Sequence, residues 1–390
     1  MAADPESPAA GMALSGLPLE ELGELLRSSF PALPSFRSKQ IFTALARGAL
    51  SFGEIHSLPL TLRQELNSRF RLRSSAVSAR LEDRDGTVKL QILLEDGLKI
   101  EAVLLVSPGS IRGKDGPEGG GRRTACLSTQ AGCPAGCVFC KTGALSLARN
   151  LNSAEIVEQF LHIRSLCPGI DNIVIMGMGE PLFNLGALRK ALTVLTSPEG
   201  LGISRRRITL STCGIAGGIR DLAGGGPDLR LALSLTTAEE DLRKRLMPIT
   251  RSNPLGEVKE ALRCYQRIRR RRITLEAVLL GGINTRREDA EAMARFARGL
   301  ETVVNLIPWN PVEGLCFEGR PLREPEEEEA AGFARELGRL GLKVTRRYRK
   351  GRGIAGACGQ LGTARPETEN FGADPDRGGA WTPPFNGLVR

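Results

Sequence analysis

The stretch CLSTQAGCPAGCVFCKTG, residues 126–143, contains four of the nine cysteines in a chain of 390 residues. Three of them, Cys133, Cys137 and Cys140, follow the spacing C-x3-C-x2-C, and random placement of nine cysteines would give roughly 0.005 such patterns. In a reducing compartment, an odd number of cysteines with this crowding is more typical of metal binding or catalysis than of a disulfide framework. The stretch therefore predicts a functional site.

The chain after this stretch alternates between β-rich runs and helical patterns. The β-rich runs from residue 124 to about residue 348 are TACLST, NIVIMGM, RRITLST, LRLALSL, ITLEAVLL, VVNLIPW and LKVTRRY. Helical patterns occupy residues 154–166, 188–195, 255–270, 288–299 and 326–340. This alternation predicts an α/β fold with a parallel sheet, closed or partly closed as a barrel, whose strands carry the chemistry at their carboxyl ends.

Composition divides the rest of the chain into further segments. Asp96-Gly97, between two β-rich runs, predicts a hairpin with a type I′ turn. The glycine-rich residues 351–362 around Cys358 pack little and suit a mobile thiol carrier. The predicted divisions are a disordered N-terminus (1–16), a helical accessory RNA-binding domain (17–75), a β-hairpin extension (76–106), a flexible loop (107–123), the barrel (124–350), the C-terminal loop (351–362) and a disordered tail (363–390).

The charge and hydropathy of the chain limit its class. A hydrophobic share of 41% allows one large core, and a net charge of +10 with a pI near 9.4 favours a polyanionic partner, although proteins that bind nothing acidic share this balance. The basic runs at 205–207, 269–272 and 346–352 are candidate phosphate contacts. Aromatic residues at 4% disfavour a base-stacking platform. The sequence shows no signal peptide and no apolar run of membrane-spanning length, which predicts a cytoplasmic protein without membrane contact.

The three spaced cysteines suit either zinc or an iron–sulfur cluster. A structural zinc site needs four protein ligands, and here only Cys126 is available as a fourth because His56 and His162 are not at a finger-like spacing. A 4Fe-4S cluster held by three cysteines leaves one iron open for chemistry. Both occupants remain possible from the residues alone.

The motifs resemble the radical S-adenosylmethionine superfamily and, within it, the RlmN/Cfr family of RNA adenine methyltransferases. The resemblance covers about residues 17–361. It implies a partial (βα)6 barrel and a 4Fe-4S cluster on Cys133, Cys137 and Cys140. The motifs that carry it are FRSKQIF (36–42), DGTVKLQILLEDGLKIEAVLL (85–105), the cysteine stretch, MGMGEPLFN (176–184), RRITLSTCG (206–214), NLIPWNP (305–311) and GIAGACGQL (353–361).

The resemblance also implies a reaction and a set of site residues. Carbon 2 of an adenosine in 23S rRNA, and in tRNA, would be methylated with two S-adenosylmethionine molecules per turnover and a reductant such as flavodoxin. Cys358 would carry the methyl group, Glu101 would act as the base, and Cys126 would resolve the covalent RNA intermediate by forming a disulfide with Cys358. The implied S-adenosylmethionine contacts are Gly179, Glu180, Ser211, Ser234, Leu235, Thr236 and Asn310; the family usually has histidine at the position of Thr236.

Two other functions remain open at this point. Methylation of carbon 8 of the same rRNA adenosine, as in the Cfr branch, shares all of these motifs. A non-catalytic RNA-binding protein stapled by zinc is the alternative from another class, but it leaves GMGEP and GACGQ without a role. Without the family, Glu101 is simply an outward strand residue, and Cys126 and Cys358 are ordinary buried thiols. The other cysteines, Cys167, Cys213, Cys264 and Cys316, are expected to be core or surface thiols.

Overall fold

The computed structural model describes residues 11–107, 121–347 and 350–362. Its central feature is a ten-stranded sheet that runs from the β-hairpin extension to the last strand before Cys358. The predictions of a disordered tail at 363–390 and of disorder in the first ten residues lie outside the described residues, as does the part 108–120 of the flexible loop predicted over 107–123. The two ends of that loop are predicted wrongly, because Ser107 and Arg122–Arg123 are paired strand residues.

The described residues form sixteen strands and eleven α-helices. The strands are β1 (Met12–Ala13), β2 (Phe70–Arg71), β3 (Ala76–Glu82), β4 (Val88–Leu93), β5 (Lys99–Ser107), β6 (Arg122–Leu127), β7 (Gln130–Ala131), β8 (Arg149–Asn150), β9 (Asn172–Ile175), β10 (Ile208–Thr212), β11 (Arg230–Ser234), β12 (Ile273–Leu279), β13 (Thr302–Pro308), β14 (Cys316–Phe317), β15 (Arg320–Pro321) and β16 (Val344–Arg346). The helices are α1 (Leu19–Ser29), α2 (Phe36–Arg47), α3 (Leu60–Arg69), α4 (Lys141–Ala144), α5 (Ser153–Leu166), α6 (Leu185–Thr196), α7 (Ala216–Gly225), α8 (Glu240–Leu246), α9 (Leu255–Arg269), α10 (Arg287–Ala297) and α11 (Glu327–Arg339).

Seven of the ten strands are parallel and follow one another in chain order: β6, β9, β10, β11, β12, β13 and β16. Each helical crossover adds the next strand at the same edge of the sheet. Because such crossovers are right-handed, the helices cover one face and leave the other as the interior of a partial (βα)6 barrel. The predicted fold class is confirmed.

The barrel strands are apolar because helices cover their outer face and the barrel interior covers the other. Leu231 and Leu233 on β11 and Leu275 and Ala277 on β12 are at most 1% exposed. Buried polar residues interrupt these runs at Glu276 on β12 and Asn305 on β13. No helix in the described part of the chain combines the length and apolar character that a membrane crossing requires.

Three antiparallel strands, β3, β4 and β5, extend the sheet beyond β6. The predicted type I′ turn is wrong. Leu94 and Leu98 close a loop in which Gly97 has φ +81° but Asp96 does not have positive φ, and the Asp96 carboxylate accepts a hydrogen bond from the Leu98 amide. The loop has three residues instead of two, and only its glycine is in the left-handed region. A type I′ turn would require two residues in that region.

The predicted disorder of residues 1–16 is wrong for residues 11–16. Met12–Ala13 pairs with Phe70–Arg71, Leu14 is fully buried, and the Ser15 hydroxyl donates to the Glu158 carboxylate over 2.6 Å. Burial of Leu14 and satisfied backbone and hydroxyl groups outweigh the entropy of ordering these residues. The N-terminal segment is thereby fastened to helix α5 of the barrel.

Candidate active site

The site residues implied by the sequence lie on segments that meet at the carboxyl edge of the parallel strands. The cysteine loop, residues 128–145, follows β6; the turn of Gly177 to Pro181 follows β9; Asn310 follows β13. Hydrogen bonds tie these loops together: the Trp309 indole donates to the Phe139 carbonyl over 2.8 Å, and the Lys141 amide donates to the Gly359 carbonyl over 2.8 Å. The segment that carries Cys358 is thus part of the same site. The expectation that residues 351–362 pack little is wrong, because half of them are buried and hydrogen bonds from the surrounding loops hold the segment.

The cysteine loop is held tightly against its neighbours. Gly132 has φ +83°, and a side chain at this position would meet the Ser146 carbonyl at 2.2 Å. The Val138 amide donates to the Leu246 carbonyl over 3.0 Å, which connects the loop to helix α8. The loop geometry therefore presents three thiols from one short, fixed segment.

The three thiols of this loop interact without surrounding a single ion. Desolvation raises the pKa of Cys133 to about 12, and burial likewise raises those of Cys137 and Cys140, with the neighbouring thiolates as a further cause for Cys133 and Cys137. Among the described residues, no three His, Cys, Asp or Glu side chains are arranged to hold one metal ion. Three buried, neighbouring thiols on one loop supply the sulfur donors that an iron–sulfur cluster requires.

The turn after β9 fits closely against the strand β7. Gly179 has φ +100°, and a side chain there would meet Gln130 at 2.5 Å, so only glycine is accommodated. The buried Glu180 carboxylate accepts hydrogen bonds from the Thr212 hydroxyl (2.7 Å) and the Cys213 amide (2.7 Å). Desolvation raises the pKa of Glu180, and these hydrogen bonds oppose the shift. Cys213, which sequence reasoning left without a role, therefore belongs to the wall of the site.

A row of polar side chains crosses four neighbouring barrel strands, from the last residue of β11 to the middle of β12, β13 and β16. Ser234, Glu276, Asn305 and Thr345 are successive register partners on β11, β12, β13 and β16. The Ser211 hydroxyl lies 3.0 Å from the Ser234 hydroxyl and 3.4 Å from the Glu276 carboxylate. The two predicted serines are thus the beginning of a longer row of hydroxyl, amide and carboxylate groups facing the barrel interior.

Two of the predicted cofactor contacts have buried polar atoms without a partner. The Thr236 hydroxyl and the Asn310 side-chain oxygen are solvent-inaccessible and accept or donate no hydrogen bond within the described structure. Thr236 also has φ +59°, an unusual conformation for a β-branched residue. Unsatisfied buried polar atoms cost free energy and mark places where a ligand completes the hydrogen bonding. The residues present therefore fit a polar cofactor such as S-adenosylmethionine.

Helix α8 contributes a fully buried arginine beneath these residues. The Arg243 guanidinium donates to the carbonyls of Cys213 (2.6 Å), Leu235 (3.0 Å) and Ser234 (3.2 Å) and to the Thr250 hydroxyl (2.6 Å). Its pKa is lowered by desolvation, while nearby thiols and carboxylates oppose that shift. Arg243 thus fixes the ends of β10 and β11, on which the predicted cofactor contacts stand.

The two thiols assigned to the covalent chemistry lie close enough for their charges to interact. Desolvation raises the pKa of Cys126 to about 12, and the charge of Cys358 adds to this effect. Cys358 is exposed at the surface of this site, yet desolvation of its sulfur raises the pKa of the thiol, while the positive charge of Arg347 opposes the shift. All nine cysteines, including these two, are free thiols. The Arg347 guanidinium lies 3.6 Å from the Glu276 carboxylate.

Glu101 is buried on β5 and is not the solvated side chain that an alternating strand allows. Its carboxylate lies 3.2 Å from the Lys89 ammonium and accepts a hydrogen bond from the Gly362 amide over 2.9 Å. The Ser128 hydroxyl, at the start of the cysteine loop, donates to the Glu101 carbonyl over 2.6 Å. Glu101 therefore contacts the segment that carries Cys358.

Two of the three predicted RNA-contacting runs lie on the opposite edge of the sheet. Residues 205–207 directly precede β10 and residues 269–272 directly precede β12, so both runs stand at the amino ends of parallel strands. Within the second run, Arg271 pairs with Asp228 over 2.6 Å. The run at 346–352 alone follows the carboxyl end of a barrel strand and leads to Cys358. The candidate phosphate contacts are therefore divided between the two edges of the sheet, and the role of all three runs in RNA binding stays a prediction.

Sequence reasoning missed Lys89, Arg243 and Glu276. Lys89 and Glu276 each had a usable signal, since both are single charges inside otherwise apolar strands, VKLQIL and ITLEAVL. Arg243 had none, because the segment EDLRKRL has two acidic residues followed by three basic ones, a charge pattern typical of an exposed helix in which no single arginine stands out.

The chain is similar to several known proteins along most of its length. Residues 127–297 match the Radical SAM superfamily. A Treponema denticola protein named "Probable dual-specificity RNA methyltransferase RlmN" is 45% identical over 92% of this chain and 98% of its own length. A Thermus thermophilus protein of the same name is 39% identical over 89% of this chain and 94% of its own. The crystal structure of a radical SAM methyltransferase from Sphaerobacter thermophilus matches with a TM-score of 0.81 and 38% identity, covering 90% of this chain and 99% of that one.

Proposed function

Because the chain belongs to the RlmN family of radical S-adenosylmethionine RNA methyltransferases, we propose that it methylates carbon 2 of a specific adenosine in 23S rRNA and of the adenosine 3′ to the anticodon in tRNA. Family membership makes the chain an enzyme and implies a 4Fe-4S cluster and S-adenosylmethionine, which argues against the zinc-stapled binding protein. The observation that carries the proposal is the position of Cys358, whose segment is hydrogen-bonded to the cysteine loop and to Asn310 and whose charge interacts with that of Cys126.

In this proposal the residues around the barrel mouth divide into two binding sets. Cys133, Cys137 and Cys140 hold the cluster. When bound, the cluster and two S-adenosylmethionine molecules supply a methyl group and a radical able to remove one of its hydrogen atoms. The unpartnered Thr236 hydroxyl and Asn310 oxygen support a polar ligand at the strand ends. The residues that would contact S-adenosylmethionine are Gly179, Glu180, Ser211, Ser234, Leu235, Thr236 and Asn310.

Cys358, Glu101 and Cys126 then have separate chemical roles. Cys358 receives the methyl group on its sulfur, and after loss of one hydrogen atom that carbon forms a bond to carbon 2 of adenine. Glu101 accepts the proton of the ring carbon, and the cluster held by Cys133, Cys137 and Cys140 would accept the one electron that the adduct must lose. The Cys126 thiolate attacks the sulfur of Cys358, so that an S–S bond forms and the S–C bond breaks. The electron pair of that bond goes to the methylene carbon, which takes a proton and becomes the methyl product.

The thiol exchange explains why two free cysteines stand together. Disulfide formation oxidises the pair by two electrons, and an external thiol reductant must return them before the next turnover. Burial raises the pKa of Cys126 to about 12, so this thiol is protonated at rest and loses its proton only as it attacks the sulfur of Cys358. A one-electron donor such as flavodoxin would serve the cluster.

The RNA would approach from the edge where residues 346–352 lead to Cys358. Arg347 and Arg352 have solvent-exposed side chains at this edge and can contact phosphates. The target base must leave its helix or lie in a loop to reach a thiol at the barrel mouth. Recognition through RNA shape and backbone fits the low aromatic content of the chain, 4%.

Mass spectrometry of nucleosides tests this function directly. Anaerobically reconstituted protein should be incubated with 23S rRNA fragments or unmodified tRNA, S-adenosylmethionine and a reductant, with Cys358→Ala as the control. We expect 2-methyladenosine with the natural protein and none with the variant. If 8-methyladenosine were the main product, the target would be carbon 8 and not carbon 2. If RNA treated with cluster-loaded protein contained no methyladenosine, the proposed function would be overturned.

A further inference from the structure

The segment that carries Cys358 rests on the antiparallel part of the sheet. We define the carrier segment as residues 351–362 and the platform as strands β3, β4 and β5 with their connecting turns. The Asp85 carboxylate accepts a hydrogen bond from the Gly351 amide over 3.0 Å, and the Asp83 carboxylate accepts one from the Gly353 amide over 2.9 Å. Two side chains of one turn therefore hold the beginning of the carrier segment.

Lys89 holds the middle of the carrier segment from within the platform. Its side chain is 10% exposed, and its ammonium group donates to the Ala355 carbonyl over 3.2 Å. The same ammonium group lies 3.2 Å from the Glu101 carboxylate, whose other oxygen accepts the hydrogen bond from the Gly362 amide. Lys89 and Glu101 together thus fix the carrier segment on both sides of Cys358.

An ion pair at this place is not explained by stability alone. Burying a lysine and a glutamate costs several kcal/mol in desolvation, and a pair of packed apolar residues often serves a fold as well or better. Here, however, the cation has a second acceptor, and that acceptor belongs to the carrier segment. The arrangement couples the position of Glu101 to the position of Cys358, which is a requirement of the reaction and not of the sheet.

We propose that Lys89 is a positioning residue that holds Glu101 and the carrier segment in one fixed arrangement. In this arrangement the base and the methyl-carrying thiol can both reach the same adenine. This inference rests on the proposed roles of Cys358 and Glu101. Lys89 touches neither the substrate nor the cofactor; it acts through the two groups it connects. The barrel holds the same segment through the Asn310 amide, which donates to the Cys358 carbonyl over 3.0 Å, and the Lys141 amide, which donates to the Gly359 carbonyl over 2.8 Å. Neither of these contacts reaches Glu101, so Lys89 is the group that links the base to the segment.

The test compares Lys89→Met with Lys89→Arg, and uses Arg80→Met, an exposed cation on β3 of the same platform, as the matched control. Amide exchange of residues 351–362 and alkylation of Cys358 by iodoacetamide are measured by mass spectrometry on anaerobic, cluster-loaded protein. In Lys89→Met we expect both rates to rise by about tenfold. We also expect kcat for RNA methylation to fall by roughly tenfold or more with little change in KM for RNA. Lys89→Arg should recover part of each effect, and Arg80→Met should match the natural protein.

The exchange and alkylation readouts do not depend on the proposed reaction. If the natural protein made no methyladenosine while Lys89→Met still loosened the carrier segment, the function would fail and the structural coupling would stand. Unchanged exchange, alkylation and kcat in Lys89→Met would overturn the inference. Should Lys89→Met fail to fold, Lys89→Gln removes the positive charge and keeps a polar side chain; natural rates of exchange and alkylation together with full kcat in Lys89→Gln would overturn the inference equally.

Discussion

Replacement of Arg243 by methionine is the most demanding test of how the site is built. The guanidinium is fully buried and donates four hydrogen bonds, to three strand-end carbonyls and the Thr250 hydroxyl. Methionine keeps much of the volume and removes every donor. The variant therefore separates polar support of the strand ends from simple space filling.

The expected loss follows from two opposing terms. Four buried acceptors that lose a partner cost about 1–3 kcal/mol each. Replacing the buried guanidinium also removes its desolvation penalty, which is several kcal/mol and acts in the opposite direction. The net loss in the free energy of unfolding is therefore about 3–5 kcal/mol. Since domains of this kind are stable by about 5–15 kcal/mol, the variant should fold but be marginal.

Urea unfolding followed by circular dichroism measures this loss as a lower midpoint at an unchanged slope. Arg245→Met is the control, because the Arg245 side chain on the same helix is 52% exposed and pairs with Glu318 on the surface. Calorimetric titration with S-adenosylmethionine should also show weaker binding to Arg243→Met, since Arg243 holds the carbonyls of Ser234 and Leu235. An unfolding free energy within about 0.5 kcal/mol of the natural protein would refute the reasoning.

Three further changes test other parts of the site and fold. Desolvation, with the charge of Arg73 as a second cause, lowers the pKa of His162 from 6.5 to about 4. Between these two pH values the unfolded chain binds a proton at His162 and the folded chain does not. The free energy of unfolding should therefore fall by roughly 3 kcal/mol as the pH drops from 6.5 to 4. His162→Gln should remove this part of the pH dependence of stability. If the urea midpoints of the variant and the natural protein changed identically with pH, the assignment to His162 would be contradicted. Alanine at Cys133, Cys137 or Cys140 should abolish iron binding and the brown colour of anaerobic protein, whereas retained iron would contradict the ligand assignment. Thr236→Gly removes an unpartnered hydroxyl and a strained φ, so the unfolding free energy should rise by about 1–2 kcal/mol while S-adenosylmethionine binding weakens; a loss of stability would count against this reading.

The barrel could be predicted because its strands are continuous apolar runs. All seven parallel strands match predicted runs, and five crossover helices match predicted periodic segments. Helix α7 was missed because AGGIRDLAGG is rich in glycine, and β3 was missed because all seven of its residues are exposed and show no alternation of burial. In both cases tertiary contacts, not local propensity, decide the structure.

The site could be predicted only where chemistry leaves a local motif. Spacing marks the cysteines, and glycines mark the turn after β9. The row of Ser234, Glu276, Asn305 and Thr345 depends on the register of four strands, which no local pattern encodes. The same holds for Lys89, which meets the Ala355 carbonyl across 266 residues of sequence.

The central claim, that Cys358 carries the methyl group to RNA and Cys126 releases the product, is tested most directly by comparing Cys126→Ala with Cys358→Ala on denaturing gels. Each variant is incubated anaerobically with RNA, S-adenosylmethionine and reductant, after iron analysis has established an intact cluster. We expect Cys126→Ala to accumulate as protein covalently bound to RNA, visible as a nuclease-sensitive shift, and Cys358→Ala to give neither adduct nor product. Full turnover by Cys126→Ala, or absence of the adduct from both variants, would contradict the two-thiol account.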